Sequence, residues 1–106
     1  MVSGEIQPNV VYQDADVLAF KDINPQAPLH VLVVPKRHIA TTNDLGPADG
    51  ALVAKLVAAA TRVARDAGVA ETGYRLVMNC NADGGQSVYH IHLHVLGGRA
   101  LHWPPG

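Results

Sequence analysis

The chain has one cysteine, almost no net charge and no long apolar run. The lone Cys80 excludes an intrachain disulfide. Eight lysines and arginines against nine aspartates and glutamates leave a formal charge of −1, so nothing electrostatic favours polymeric nucleic acid or an anionic membrane surface. No segment approaches the roughly 20 consecutive apolar residues of a membrane span. The opening Met1-Val2-Ser3-Gly4-Glu5-Ile6 lacks the basic and then apolar regions of a secretory signal, which makes cytoplasmic residence the default expectation. Internal repeats, low-complexity tracts and linkers are missing too.

What remains is a chain of 106 residues, enough for one domain over 1–106, with a small ligand as the natural partner. At that size, oligomerisation is an economical way to bury more surface.

The most informative stretch is Tyr89-His90-Ile91-His92-Leu93-His94-Val95-Leu96. Period-two alternation with β-branched Ile91 and Val95 predicts a strand. His90, His92 and His94 then share one face and Ile91, Leu93 and Val95 the other. Neighbouring histidines on that face would stand roughly 6.5–7 Å apart, too far for direct ring-to-ring hydrogen bonds but close enough to address one phosphate-sized group. Ahead of the strand, Asp83-Gly84-Gly85-Gln86-Ser87-Val88 reads as a loop whose main-chain N–H groups can approach an anion.

Elsewhere, Val10-Val11-Tyr12 and Val17-Leu18-Ala19-Phe20 predict an antiparallel pair turned at Gln13 to Asp16, after an arm or turn over Ser3 to Pro8. Two prolines make Asp22 to Pro28 irregular, in a position to present Asp22 and Ile23 to a ligand. His30 to Val34 predicts a third strand and Tyr74 to Asn79 a fourth, which with the histidine strand forms the expected centre of the sheet. Between them Pro47, Asp49 and Gly68 bracket one long helix. Its apolar positions Leu52, Val53, Leu56, Val57, Ala60, Val63, Ala64 and Ala67 recur at helical spacing. Trp103 lies in a glycine- and proline-rich tail, where it needs something to pack on.

These residues resemble the histidine-triad (HIT) family, and within it the nucleotide-binding Hint branch. The likeness is carried by His90-Ile91-His92-Leu93-His94-Val95-Leu96, the loop from Asp83 to Val88, Leu96-Gly97-Gly98-Arg99 and His102-Trp103-Pro104-Pro105-Gly106. Leu18 to Ile23, Pro25 to His30 and Val34 to Ile39 extend it over about Gly4 to Gly106. It implies an α+β domain with a five-stranded antiparallel sheet, one main helix and a short helix near His38. It also implies a homodimer with the sheet continued across the interface.

The implied activity is hydrolysis of purine nucleoside 5′-phosphoramidates and related nucleoside monophosphate derivatives, without cofactor or metal. By the same resemblance His92 is the nucleophile, with His90, His94 and Ser87 completing the catalytic set. Asn79, Gly85, Gln86, Val88 and Ser87 surround the phosphate, Asp22 holds the ribose, and Phe20, Ile23 and Leu32 line the base pocket. His30 stands behind the triad, and Trp103 approaches the partner's site.

Plainer readings stand beside these. Three histidines on one face can ligate zinc, although no Cys, Asp or Glu lies near them in sequence. A sensor or scaffold would bind nucleotide without turnover, and dinucleoside polyphosphates are another substrate class. His30 can be a hydrogen-bonded core histidine and His38 and His102 surface or packing residues. Asp22 can cap a turn, Phe20, Ile23 and Leu32 can be ordinary core, and Trp103 can be a packed tail.

Overall fold

A computed structural model describes residues 9–106; the arm expected over Ser3 to Pro8 lies outside them. Five strands form one antiparallel sheet: β1 (Val10–Gln13), β2 (Val17–Lys21), β3 (Leu29–Pro35), β4 (Tyr74–Val77) and β5 (Leu93–Gly97). Among the described residues one α-helix, α1 (Gly50–Asp66), crosses it. The β1–β2 turn is where the sequence puts it, with Asp14 Oδ1 accepting the N–H groups of Asp16 and Val17.

The spatial order is β1-β2-β3-β5-β4, so β3 is central and β4 is an edge. This corrects the expectation that the fourth and fifth strands form the centre. The physical reason lies in β3 itself: six of its seven residues are buried, as befits a strand covered on both faces, whereas all four residues of β4 are only half-buried.

One sheet face packs on α1. Val17, Ala19, Val31, Val33, Leu93 and Val95 meet Leu56, Ala59, Ala60, Val63 and Ala64 of the helix, with Ile91 and Val69 completing this core. Val57, expected on the packed stripe, is 41% exposed, because it lies about 100° around the helix from Leu56 and a single sheet covers a stripe little wider than that. Pro47 starts a separate 3₁₀ turn, Pro47–Asp49, rather than the helix itself. At the other end, Val69 N–H reaches the carbonyl of Ala64 and Gly68 N–H that of Arg65, with Gly68 at φ +79°. Those paired bonds close the helix as a Schellman stop.

The opposite sheet face carries a smaller cluster of Phe20, Leu32 and Val34, backed by Leu18. His30 and His94 belong to this face, His94 standing between Leu32 of β3 and Val77 of β4. Sheet alternation thus separates a packing side from a chemical side, as the sequence pattern requires.

Two elements are shorter or differently placed than expected. β5 starts at Leu93, not Tyr89, because Ile91 N–H leaves the sheet to bond the Ile39 carbonyl. With no strand beside it there, β4 also ends early, at Val77. No helix forms at His38; the first turn after it is the 3₁₀ turn Thr42–Asp44, capped by Thr41.

Candidate functional site

His92 and His94 lie at the start of β5, where the chain enters the sheet. His92 Nδ1 is 2.9 Å from the carbonyl oxygen of His90. A carbonyl only accepts, so Nδ1 carries the proton and the lone pair of the neutral ring is at Nε2. The ring stands edge-on to His94, with centroids 5.0 Å apart.

His94 is set by its neighbour on β3. The Gln26 N–H donates to His30 Nδ1 at 3.0 Å, which leaves the proton of neutral His30 on Nε2. That Nε2–H faces His94 Nδ1 at 2.9 Å and Asp22 Oδ2 at 3.4 Å. His94 Nδ1 therefore accepts, and neutral His94 holds its proton on Nε2. This Nε2 is shut off from solvent and, among the described residues, has no hydrogen-bond partner. A buried donor left unpaired costs about 1–3 kcal/mol, which a ligand oxygen would recover.

Burial pushes the His94 pKa down to about 4, with the nearby His92 and His30 rings adding to the effect and Asp22 opposing it. Burial also lowers the pKa of His30, again against the pull of Asp22, and that of His90. In the unfolded chain His94 takes up a proton near pH 6.5, so between that pH and about 4 the unfolded state binds more protons than the folded one. Stability is therefore complete above about pH 6.5 and is lost as the pH falls toward 4. Discounted for a half-exposed ring, His94 contributes about 1–2 kcal/mol of this loss, and His30 and His90 act in the same direction. Urea midpoints should be flat from pH 7 to 8 and clearly lower at pH 4.5.

His90 departs from the expected geometry of three imidazoles on one face. Its ring is buried, with Nε2–H donating to the Pro35 carbonyl at 2.7 Å and Nδ1 3.1 Å from His38 Nδ1. The His38 ring stacks on it at an interplanar angle of 15°. Both nitrogens of His90 are engaged, as are both of His30, so among the described residues it is His92 and His94 that each keep Nε2 free of a protein partner. His38, read from sequence as surface or packing, is exposed yet holds a specific ring contact.

The glycine loop is built for shape. A Cβ on Gly84 would lie 2.5 Å from the Cys80 carbonyl oxygen, and Gly85 has φ +86°. The N–H groups of Gly85 and Gln86 are used inside the turn, donating to the carbonyls of Ala82 and Asn81. For these two amides that corrects the expectation that the loop's main-chain N–H groups approach an anion. Ser87 is exposed, and neither its N–H nor its hydroxyl is paired among the described residues.

Gln86 is buried and its amide is fully committed: Oε1 accepts from Asn81 N–H at 2.8 Å, and Nε2 donates to the carbonyls of Ala40 at 2.8 Å and Val88 at 3.0 Å. Its side chain braces the loop and is not available to a nucleotide. Gln86→Ala should lower unfolding stability by about 2–4 kcal/mol through three orphaned backbone groups, measurable by denaturant titration.

Of the other expected site residues, Asp22 is brought against His30, and its Oδ1 also caps Asn24 N–H. Phe20 and Leu32 form a buried apolar wall on the histidine face, while Ile23 is 83% exposed. Asn79 is half-buried, and Val88 and Trp103 are exposed at 40% and 82%.

Asp22, His30 and His94 are the described residues that could converge on a metal ion, their ligand atoms lying within 4.8 Å of one another. This is a different set from the three triad histidines, and it brings in a carboxylate that the sequence places far away. The Gln26 bond, however, turns an N–H of His30 toward that centre where an ion requires a lone pair. The sequence offered no sign of Gln26 or Pro35, because they act through backbone N–H and C=O groups that every residue type carries.

The chain matches the HIT domain family model over residues 3–101. It is 48% identical to the purine nucleoside phosphoramidase of Escherichia coli K12 over 95% of this chain and 85% of that protein. In structure it resembles a HIT family hydrolase from Legionella pneumophila, with a TM-score of 0.96 and 54% identity over 100% of this chain and 95% of that one. It also resembles a histidine triad protein from Clostridium difficile, with a TM-score of 0.90 and 42% identity over 95% and 88% of the two chains.

Proposed function

The chain belongs to the HIT family, and from that premise we propose that it hydrolyses the P–N bond of purine nucleoside 5′-phosphoramidates and related nucleoside monophosphate derivatives. The observation that carries the reading is the complementary setting of two rings. His92 has its lone pair at Nε2, and His94 beside it holds an unpaired N–H at Nε2.

The reaction runs in two displacements. His92 Nε2 bonds to the α-phosphorus as the P–N bond breaks, and the departing nitrogen takes a proton from a neighbouring donor, a role we give to the Ser87 hydroxyl. The phosphorylated ring is cationic, and its Nδ1–H remains on the His90 carbonyl. Water then attacks phosphorus on the same line, the P–N bond to His92 breaks, and the proton released by water restores the donor. His94 Nε2–H and the Ser87 amide stabilise charge on the non-bridging oxygens, an electrostatic contribution that needs no metal.

Asp22 binds the ribose hydroxyls, Phe20, Ile23 and Leu32 line the base, and Asn79, Gly85 and Val88 shape the phosphate end. His90 and Gln86 support these groups from behind, since their polar atoms are occupied. The working unit is a cytoplasmic homodimer joined through the sheet and helix, with Trp103 reaching the partner's site. The edge position of β4 and the exposure of Val57 support that reading.

Mass spectrometry of protein quenched during turnover of an adenosine phosphoramidate tests the mechanism. A nucleotidyl adduct on His92 is expected. Turnover without an adduct on that residue, or binding without turnover, would count against it.

A further inference from the structure

β3 and β5 run antiparallel with Leu29 opposite Gly97, so the loop entering β3 lies beside the turn leaving β5. The two are fitted closely. Gly98 has φ +87°, and a Cβ there would lie 2.9 Å from Cβ of Pro28. Immediately after it, the exposed Arg99 guanidinium donates from Nε and Nη2 to one oxygen, the carbonyl of Gln26, at 3.2 and 3.1 Å. Its Nη1 reaches the Ala100 carbonyl at 3.0 Å. Gln26 is thus held at both backbone groups, its oxygen by Arg99 and its N–H by His30 Nδ1.

We propose that Arg99 is a positioning residue for the phosphate-binding imidazole, holding Gln26 so that its N–H dictates the tautomer of His30 and, through it, that of His94. The inference rests on the phosphoramidase reading for its effect on turnover. With Gln26 held, His30 keeps its proton on Nε2, His94 Nδ1 accepts, and His94 Nε2 presents N–H. With Gln26 released, only the longer contact to Asp22 Oδ2, at 3.4 Å, still favours the proton on Nε2, and His30 can move it to Nδ1. Its Nε2 lone pair then faces His94 Nδ1, which must take the proton to keep the bond between the rings. His94 Nε2 is left with a lone pair against a phosphoryl oxygen, and attraction becomes repulsion.

The test compares wild type, Arg99→Met and Arg99→Lys by imidazole ¹⁵N spectra without substrate and by steady-state kinetics with an adenosine phosphoramidate. In wild type, His30 and His94 should each show a protonated Nε2 and an unprotonated Nδ1. In Arg99→Met these nitrogens should shift toward averaged values, and kcat should fall by about 10- to 100-fold with KM changed by less than about threefold. Arg99→Lys, with a donor but no fork, should lie between the two. Unchanged His30 and His94 nitrogens in Arg99→Met overturn the proposal, whatever the kinetics. Should that variant fail to fold by its amide spectrum, Arg99→Lys decides, a partial shift supporting the role and no shift refuting it. If wild type cleaves no phosphoramidate, the functional reading fails while the spectra still judge the anchor.

Discussion

Replacement of His92 by asparagine is expected to lower kcat by at least about 10⁴-fold while leaving nucleoside monophosphate affinity within a few-fold of wild type. Asparagine keeps an amide near the His90 carbonyl but has no nitrogen lone pair able to bond phosphorus, so the first displacement has no nucleophile. The split between turnover and affinity is the diagnostic part. Calorimetric titration with the monophosphate and single-turnover kinetics with the phosphoramidate measure the two halves separately. Residual activity within about tenfold of wild type would transfer the nucleophile's role to another group.

His94→Ala is expected to be the next largest functional loss, about 10²- to 10³-fold in kcat, the range found when one preorganised donor to a developing negative charge is removed. Its KM should change much less, because the charge on the non-bridging oxygens and the donor geometry match best in the transition state. In this variant the His30 Nε2–H loses its partner ring but keeps the Asp22 carboxylate 3.4 Å away. Removing His94 also removes one ring that must stay neutral when folded, so the acid destabilisation between pH 6.5 and 4 should become shallower. A weaker affinity with kcat unchanged would instead make His94 a ground-state contact.

Much of the architecture was legible in the sequence because it rests on periodicity. Ile91, Leu93 and Val95 do enter the helix-facing core, and Leu56, Ala60, Val63 and Ala64 do face them, as the two- and four-residue spacings require. Sheet order was less legible. The alternation in Tyr74 to Asn79 says that one face is apolar but not which strands flank it, whereas the continuous apolar run from Val31 to Pro35 in β3 was a sign of a central strand that outweighs chain order. The glycine loop was recognisable as a loop, yet which of its amides are free depends on turns that only the folded chain displays.

The sequence by itself determined that this is an α+β fold carrying histidines at alternate positions beside a glycine-rich loop, since composition and period are properties of neighbouring residues. Tertiary structure decided which of those imidazoles keep a ring nitrogen unpaired and which nitrogen of each holds the proton. His90 is withdrawn to the Pro35 carbonyl, His30 joins from another strand, and Gln26 N–H orients the pair of His30 and His94. A tautomer follows the partner each ring nitrogen meets, and these partners are backbone groups and side chains up to 64 residues away along the chain.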